Sequence, residues 1–113
     1  MNTKLPELSE HDIQTQIWDY LRYEKITVWR INVGAASYEK KNGSLSFVRF
    51  GVPGMSDLIG IFQGRFLAIE VKRGSCIKRV TPAQQAFLDQ VNAAGGLAFV
   101  ATSIEDVEEK LKI

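Results

Sequence analysis

Pro53-Gly54-Met55-Ser56-Asp57 opens the apolar run Leu58-Ile59-Gly60-Ile61-Phe62, and Arg65-Phe66-Leu67-Ala68 leads into Ile69-Glu70-Val71-Lys72. Only Gln63 and Gly64 separate the two runs, so they read as two strands of a hairpin with a tight loop. With a two-residue loop, Ile61 faces Phe66, Ile59 faces Ala68 and Asp57 faces Glu70, all on one side of the sheet. Lys72, two residues past Glu70, lies on that side as well. Like charges directly across a strand pair are destabilising unless something neutralises them, and a hard divalent cation with oxygen ligands would do so. A three-residue loop would shift the register by one and leave Asp57 diagonal to Glu70, still nearby. The bland alternative is a salt-bridged trio on a solvated face. The conjunction of the two runs, with a Pro-Gly turn feeding the aspartate, favours a site for a divalent metal ion.

Composition sets the frame. A chain of 113 residues with 45% hydrophobic content suffices for one compact core and is too short for two, so residues 1–113 are expected to form a single domain. The lone Cys76 can form no internal disulfide, and its surroundings lack metal-ligand spacing. No apolar run is long enough to span a bilayer and no secretory signal opens the chain, which argues for an intracellular setting without membrane attachment. The net charge of +1 conceals a division. Residues 22–79 carry 11 Lys and Arg against 4 Asp and Glu, a net +7, whereas 1–21 and 80–113 are each −3. A basic middle that holds the candidate site suits a polyanionic substrate.

Along the chain, Ser9 followed by Glu10 and Asp12 predicts a capped helix over about 10–23, with Ile13, Ile17, Tyr20 and Leu21 as its apolar stripe. Ile26 to Ile31 reads as a strand, 34–43 as a loop or splayed hairpin, and Leu45 to Phe50 as a second strand. After the central hairpin, Thr81-Pro82-Ala83-Gln84 marks a helix start with a capping box, and Gly95-Gly96 marks its end. Leu97 to Ala101 predicts a buried strand, and Ser103 caps a last helix. The expected order is α-β-β-β-β-α-β-α, an α/β fold with a mixed central sheet flanked by helices.

These pieces together resemble a known family. Glu10 with Gln14 one turn on, Arg30-Ile31-Asn32-Val33-Gly34, Gly51 to Gly60, Ile69-Glu70-Val71-Lys72, Thr81-Pro82-Ala83-Gln84 with Phe87-Leu88, and Gly95-Gly96 occur in the order found in stand-alone VRR-NUC nucleases of the PD-(D/E)xK superfamily. The likeness covers about residues 8–107. It implies a restriction-endonuclease-like core, with Asp57, Glu70 and the backbone carbonyl of Val71 as ligands of Mg²⁺ or Mn²⁺ and Lys72 as the catalytic lysine. Glu10 would complete the site from the first helix, with Glu7 as the other acid available there, and Gln84 would be an active-site residue or only a helix cap. Pro53 lies four residues before Asp57 instead of beside it, a Gly-x-Ser-Asp variant.

The resemblance further implies phosphodiester hydrolysis leaving 5′-phosphate and 3′-hydroxyl ends. The expectation is a homodimeric, structure-selective DNA endonuclease acting on branched or duplex DNA, similar to Holliday-junction resolvases. Phage or mobile-element replication, recombination or repair in the cytoplasm or nucleoid would be its setting. A nickase or flap nuclease without junction preference, and a non-catalytic DNA-binding module on a nuclease fold, are the competing readings. Arg73, Lys78 and Arg79, in a loop after the lysine, are candidate phosphate contacts, with Arg30, Asn32 and Arg49 extending the footprint. Trp18 and Trp29, each in an apolar-periodic segment, are expected in the core or an interface and not as base-stacking residues.

Overall fold

The computed structural model describes residues 6–31, 35–39, 41, 45–49 and 52–113; for 35–39 and 45–49 it describes the backbone only. Helix α1 (Glu10–Tyr23) leads into β1 (Thr27–Arg30), β2 (Ala35–Glu39), β3 (Leu45–Arg49), β4 (Leu58–Phe62) and β5 (Arg65–Val71). A 3-10 helix (Gly74–Arg79), α2 (Pro82–Ala93), β6 (Leu97–Ala101) and α3 (Ile104–Leu111) complete the chain. β1, β4, β5 and β6 form a mixed sheet in that order, antiparallel except for the parallel β5–β6 pair, and β2–β3 form a separate antiparallel pair.

Two features depart from the expected order. β2 is an additional strand inside the stretch read as a loop or splayed hairpin. Its sequence, Ala-Ala-Ser-Tyr-Glu, lacks the β-branched content that announces a strand, so only its cross-strand partners reveal it. The segment 74–79 coils into a 3-10 helix instead of an open loop.

Local chemistry sets the helix ends. Ser9 Oγ accepts from Asp12 N, Thr81 and Gln84 form a reciprocal capping box, and Ser103 Oγ accepts from Asp106 N. Side-chain alternation then assigns each face of the sheet. One face carries Val28, Leu58, Leu67, Ile69, Val71, Phe99 and Ala101, packed against Ile13, Ile17 and Leu21 of α1 and Val107 and Leu111 of α3. Each large apolar side chain buried there contributes about 1.5–3 kcal/mol. Among the described residues, the other face is covered over β5 and β6, where Ala68 and Ala98 meet Leu88 of α2, with Ile59, Phe87, Val91 and Val100 half-buried at the margin. On the β1–β4 side of that face, Trp29 and Ile61 are about half exposed.

Candidate active site

The hairpin loop consists of Gln63 at φ 50° and Gly64 at φ 76°, the left-handed pair that a two-residue turn matched to strand twist requires. Register follows from it: Phe62 pairs with Arg65, Ile61 with Phe66, Ile59 with Ala68 and Leu58 with Ile69. The ladder therefore delivers Asp57 and Glu70 to facing positions one residue past its last pair. There the Asp57 carboxylate takes over from the backbone, with Oδ2 accepting from Val71 N at 2.8 Å. On its other side the Asp57 carbonyl accepts from Ile31 N at 2.8 Å, tying the aspartate to the end of β1 as well.

The turn before Asp57 is equally constrained. Met55 N donates to Val52 O at 3.0 Å, with Pro53 and Gly54 (φ 78°) between them, the arrangement of a type II turn. A Cβ at Gly54 would lie 2.2 Å from the Ala83 carbonyl oxygen at the start of α2. Gly54→Ala therefore combines backbone strain with a clash against immovable backbone, and should shift the turn that aims Asp57. Thermal melts should show a loss on the order of 1–3 kcal/mol, accompanied by a fall in nuclease activity.

Glu70 is 2% exposed and Lys72 8%. Lys72 Nζ stands 3.7 Å from Glu70 Oε1, while Glu70 Oε2 is buried without a hydrogen-bond partner. Burial first, and then the Asp57 charge, push the Glu70 carboxyl up to about 8; Lys72 opposes the shift and the more distant Glu10 adds to it. Burial also raises Asp57, against the Val71 N–H bond and the Lys72 charge. Two desolvated carboxyls held face to face, one with an unused oxygen, form a hard-oxygen donor set that a divalent cation would satisfy. Mg²⁺ is commonly held by one or two carboxylates and keeps several waters, so Asp57, Glu70 and the Val71 carbonyl fit such an ion.

The remaining expected residues fall in different places. Glu10, the first residue of α1, is near enough for its charge to act on Glu70, yet among the described residues no group of three or more His, Cys, Asp or Glu side chains is gathered for a metal. Glu10 thus stands back from the pair. Glu7 belongs elsewhere: its carboxylate accepts from Ser75 N and Ser75 Oγ and pairs with Arg73 Nη2 at 3.4 Å, which holds it below the usual carboxylate range, chiefly through the Ser75 backbone bond.

Gln84 Oε1 accepts from Thr81 N at 2.9 Å as half of the capping box, a bond that does not engage its Nε2. Gln84→Ala and Thr81→Ala should each cost about 1 kcal/mol in thermal unfolding. If capping is the whole role of Gln84, the two variants lose cleavage activity equally; a larger loss in Gln84→Ala assigns Nε2 to the substrate.

Arg30 projects from the sheet face opposite the carboxylates. Its Nε and Nη2 donate to Gln14 Oε1 at 3.0 and 2.7 Å, and its guanidinium lies 5.5 Å from the Trp18 ring. The contact clamps α1 to β1 and leaves Arg30 no place beside the carboxylates. Lys78 and Arg79 are exposed on the 3-10 helix, whereas Arg73 is half-buried and paired with Glu7. Asn32 lies outside the described residues, as does the Arg49 side chain. Trp18 packs against the core, but Trp29 is 52% exposed and does not belong to it. Ser56 belongs to the Gly-x-Ser-Asp stretch, but the sequence reading gives it no role of its own. It is fully buried, and its Oγ lacks a partner.

A mixed sheet between helices, with two opposed carboxylates and a lysine at the end of the ladder between two central strands, is the layout of a restriction-endonuclease-like nuclease core. The VRR-NUC domain model matches residues 8–105, and the chain belongs to that family. No curated protein matches it. Family membership makes this a nuclease domain with DNA as its substrate. Among the described residues, no helix is long and apolar enough to cross a membrane.

Proposed function

We propose that the chain is a Mg²⁺- or Mn²⁺-dependent, structure-selective DNA endonuclease that hydrolyses phosphodiester bonds in branched DNA in the manner of a Holliday-junction resolvase. The observation that carries the reading is the half-buried Asp57 facing the buried Glu70, with the unpartnered Glu70 Oε2 and Lys72 beside it. Asp57, Glu70 and the Val71 carbonyl would hold the ion, with Glu10 as an outer acid. When bound, such an ion polarises a phosphate and lowers the pKa of an attached water. Asp57 is held in place by the Val71 N–H, so its free lone pairs point at a fixed site. Lys72, almost fully buried, places its ammonium where an attacking water or a developing phosphorane charge can use it. Lys78 and Arg79 present exposed charge for flanking phosphates.

One such site cuts one strand, so symmetric cutting of a four-way junction calls for a two-fold dimer. The test is cleavage of labelled four-way junction, flap, nicked duplex, linear duplex and single strand in Mg²⁺, Mn²⁺ or EDTA. Paired symmetric nicks on the junction, lost in EDTA, support the full reading. Metal-dependent cutting of all substrates alike reduces it to a nickase or flap nuclease. Binding without cutting leaves a DNA-binding module.

A further inference from the structure

Trp29 pairs with Ile59 across β1 and β4, and the Ile31 N to Asp57 O bond continues that register by one pair. Trp29 is therefore diagonal to Asp57 on the same face of the sheet, a separation of about 7–8 Å between backbone positions. Its neighbours Val28 and Arg30 point to the opposite face, one into the core and the other onto α1. Among the described residues α2 packs on β5 and β6, and the Trp29 side chain is 52% exposed. The exposed strip continues away from the carboxylates through Ile61, 51% exposed, to Phe66, 43% exposed and paired with Ile61.

Exposed aromatics on a strand face beside a phosphate-handling site have the form of a stacking platform, on which any nucleobase can lay its π-face. The setting fits a nucleic acid: Trp29, Ile59, Ile61 and Phe66 fall within the +7 stretch of the sequence, and none of the four is charged. The β1–β4 ladder fixes the backbone beneath Trp29, so little conformational freedom is lost on stacking. A base in intact duplex is already stacked and cannot reach the strip. A base splayed out at a branch can.

We propose that Trp29, with Phe66 beyond it, stacks unpaired nucleobases adjacent to the phosphodiester being cut, and is the residue that makes this domain prefer branched or locally unpaired DNA. The inference rests on the nuclease reading above for its substrate, but its test reads binding and not cutting.

Fluorescence anisotropy in EDTA would compare a labelled poly-dT strand with a blunt, fully paired duplex of equal length. Trp29→Ala should weaken poly-dT binding about 5- to 100-fold, with the duplex affinity essentially unchanged. Trp29→Phe should recover most of the loss, and poly-dT should quench a component of tryptophan fluorescence that is missing in Trp29→Phe. Because the side chain is largely exposed, both variants should melt like the parent. Equal losses on both probes, or no loss, overturn the proposal. A change in sedimentation of Trp29→Ala with poly-dT affinity intact overturns it too, assigning the strip to a protein partner. Poly-dT binding that depends on Trp29 in a protein that cuts nothing would remove the nuclease reading and the placement beside a cut, and leave the stacking role of Trp29 standing.

Discussion

Lys72→Met is expected to lower single-turnover cleavage by about 10²–10³-fold, the usual cost of removing one preorganised charge from a transition state. Methionine retains the buried stem and its packing, so the loss reports on the ammonium. A second effect follows from position. The Lys72 charge opposes the rise of both Asp57 and Glu70, so without it both carboxyls hold their protons more tightly. The alkaline shift of the pH–rate profile in Lys72→Met distinguishes this coupling from a role in the chemical step alone. Lys72→Arg should not rescue, because a planar fork cannot occupy a site shaped for a compact ammonium. Circular dichroism and a thermal melt provide the check that the fold is intact.

The second large effect concerns Glu70, and it runs in opposite directions for stability and activity. In the metal-free protein its carboxyl titrates at about 8 instead of 4.5, through burial and then the Asp57 charge. A carboxyl raised on folding stays protonated in the native state where the unfolded chain has already released its proton. Below about 4.5 both states are neutral and stability is undiminished; from there to about 8 it falls with rising pH, and above that the loss is constant. Melting temperatures in EDTA should decline across that window. Glu70→Gln, an uncharged isostere, should flatten the slope and melt above the parent at pH 8 while abolishing cleavage. Divalent metal should restore the parent and leave Glu70→Gln unmoved. Metal binding should also release a proton near neutrality, and less above pH 8, which calorimetry in buffers of different ionisation enthalpy measures directly. The site stores this cost for function, as strained and desolvated groups at active sites commonly do.

Much of this was legible because its determinants are local. Gln63-Gly64 fixes the loop length, loop length fixes register, and register puts Asp57 opposite Glu70 with no knowledge of the rest of the chain. The three helix starts were equally plain, since each cap is written within four residues. Features decided by distant packing were not. The exposure of Trp29 depends on α2 stopping short of β1, which no alternation within Thr27–Arg30 reveals. Arg30 looked like a free cation until α1 supplied Gln14, and Glu7 like a possible site acid until Ser75 and Arg73 engaged it. Charge marks a residue as available for DNA, while the fold decides whether it has already been used.

The most direct test of the central claim is Mn²⁺ titration followed by electron paramagnetic resonance, with cleavage of a four-way junction assayed at each concentration in the parent and in Glu70→Gln. One class of bound Mn²⁺ in the parent, its occupancy tracking the cleavage rate and both lost in Glu70→Gln, is the predicted result. Cleavage that persists in EDTA or in Glu70→Gln would contradict the assignment of this carboxylate pair as the metal site of a nuclease.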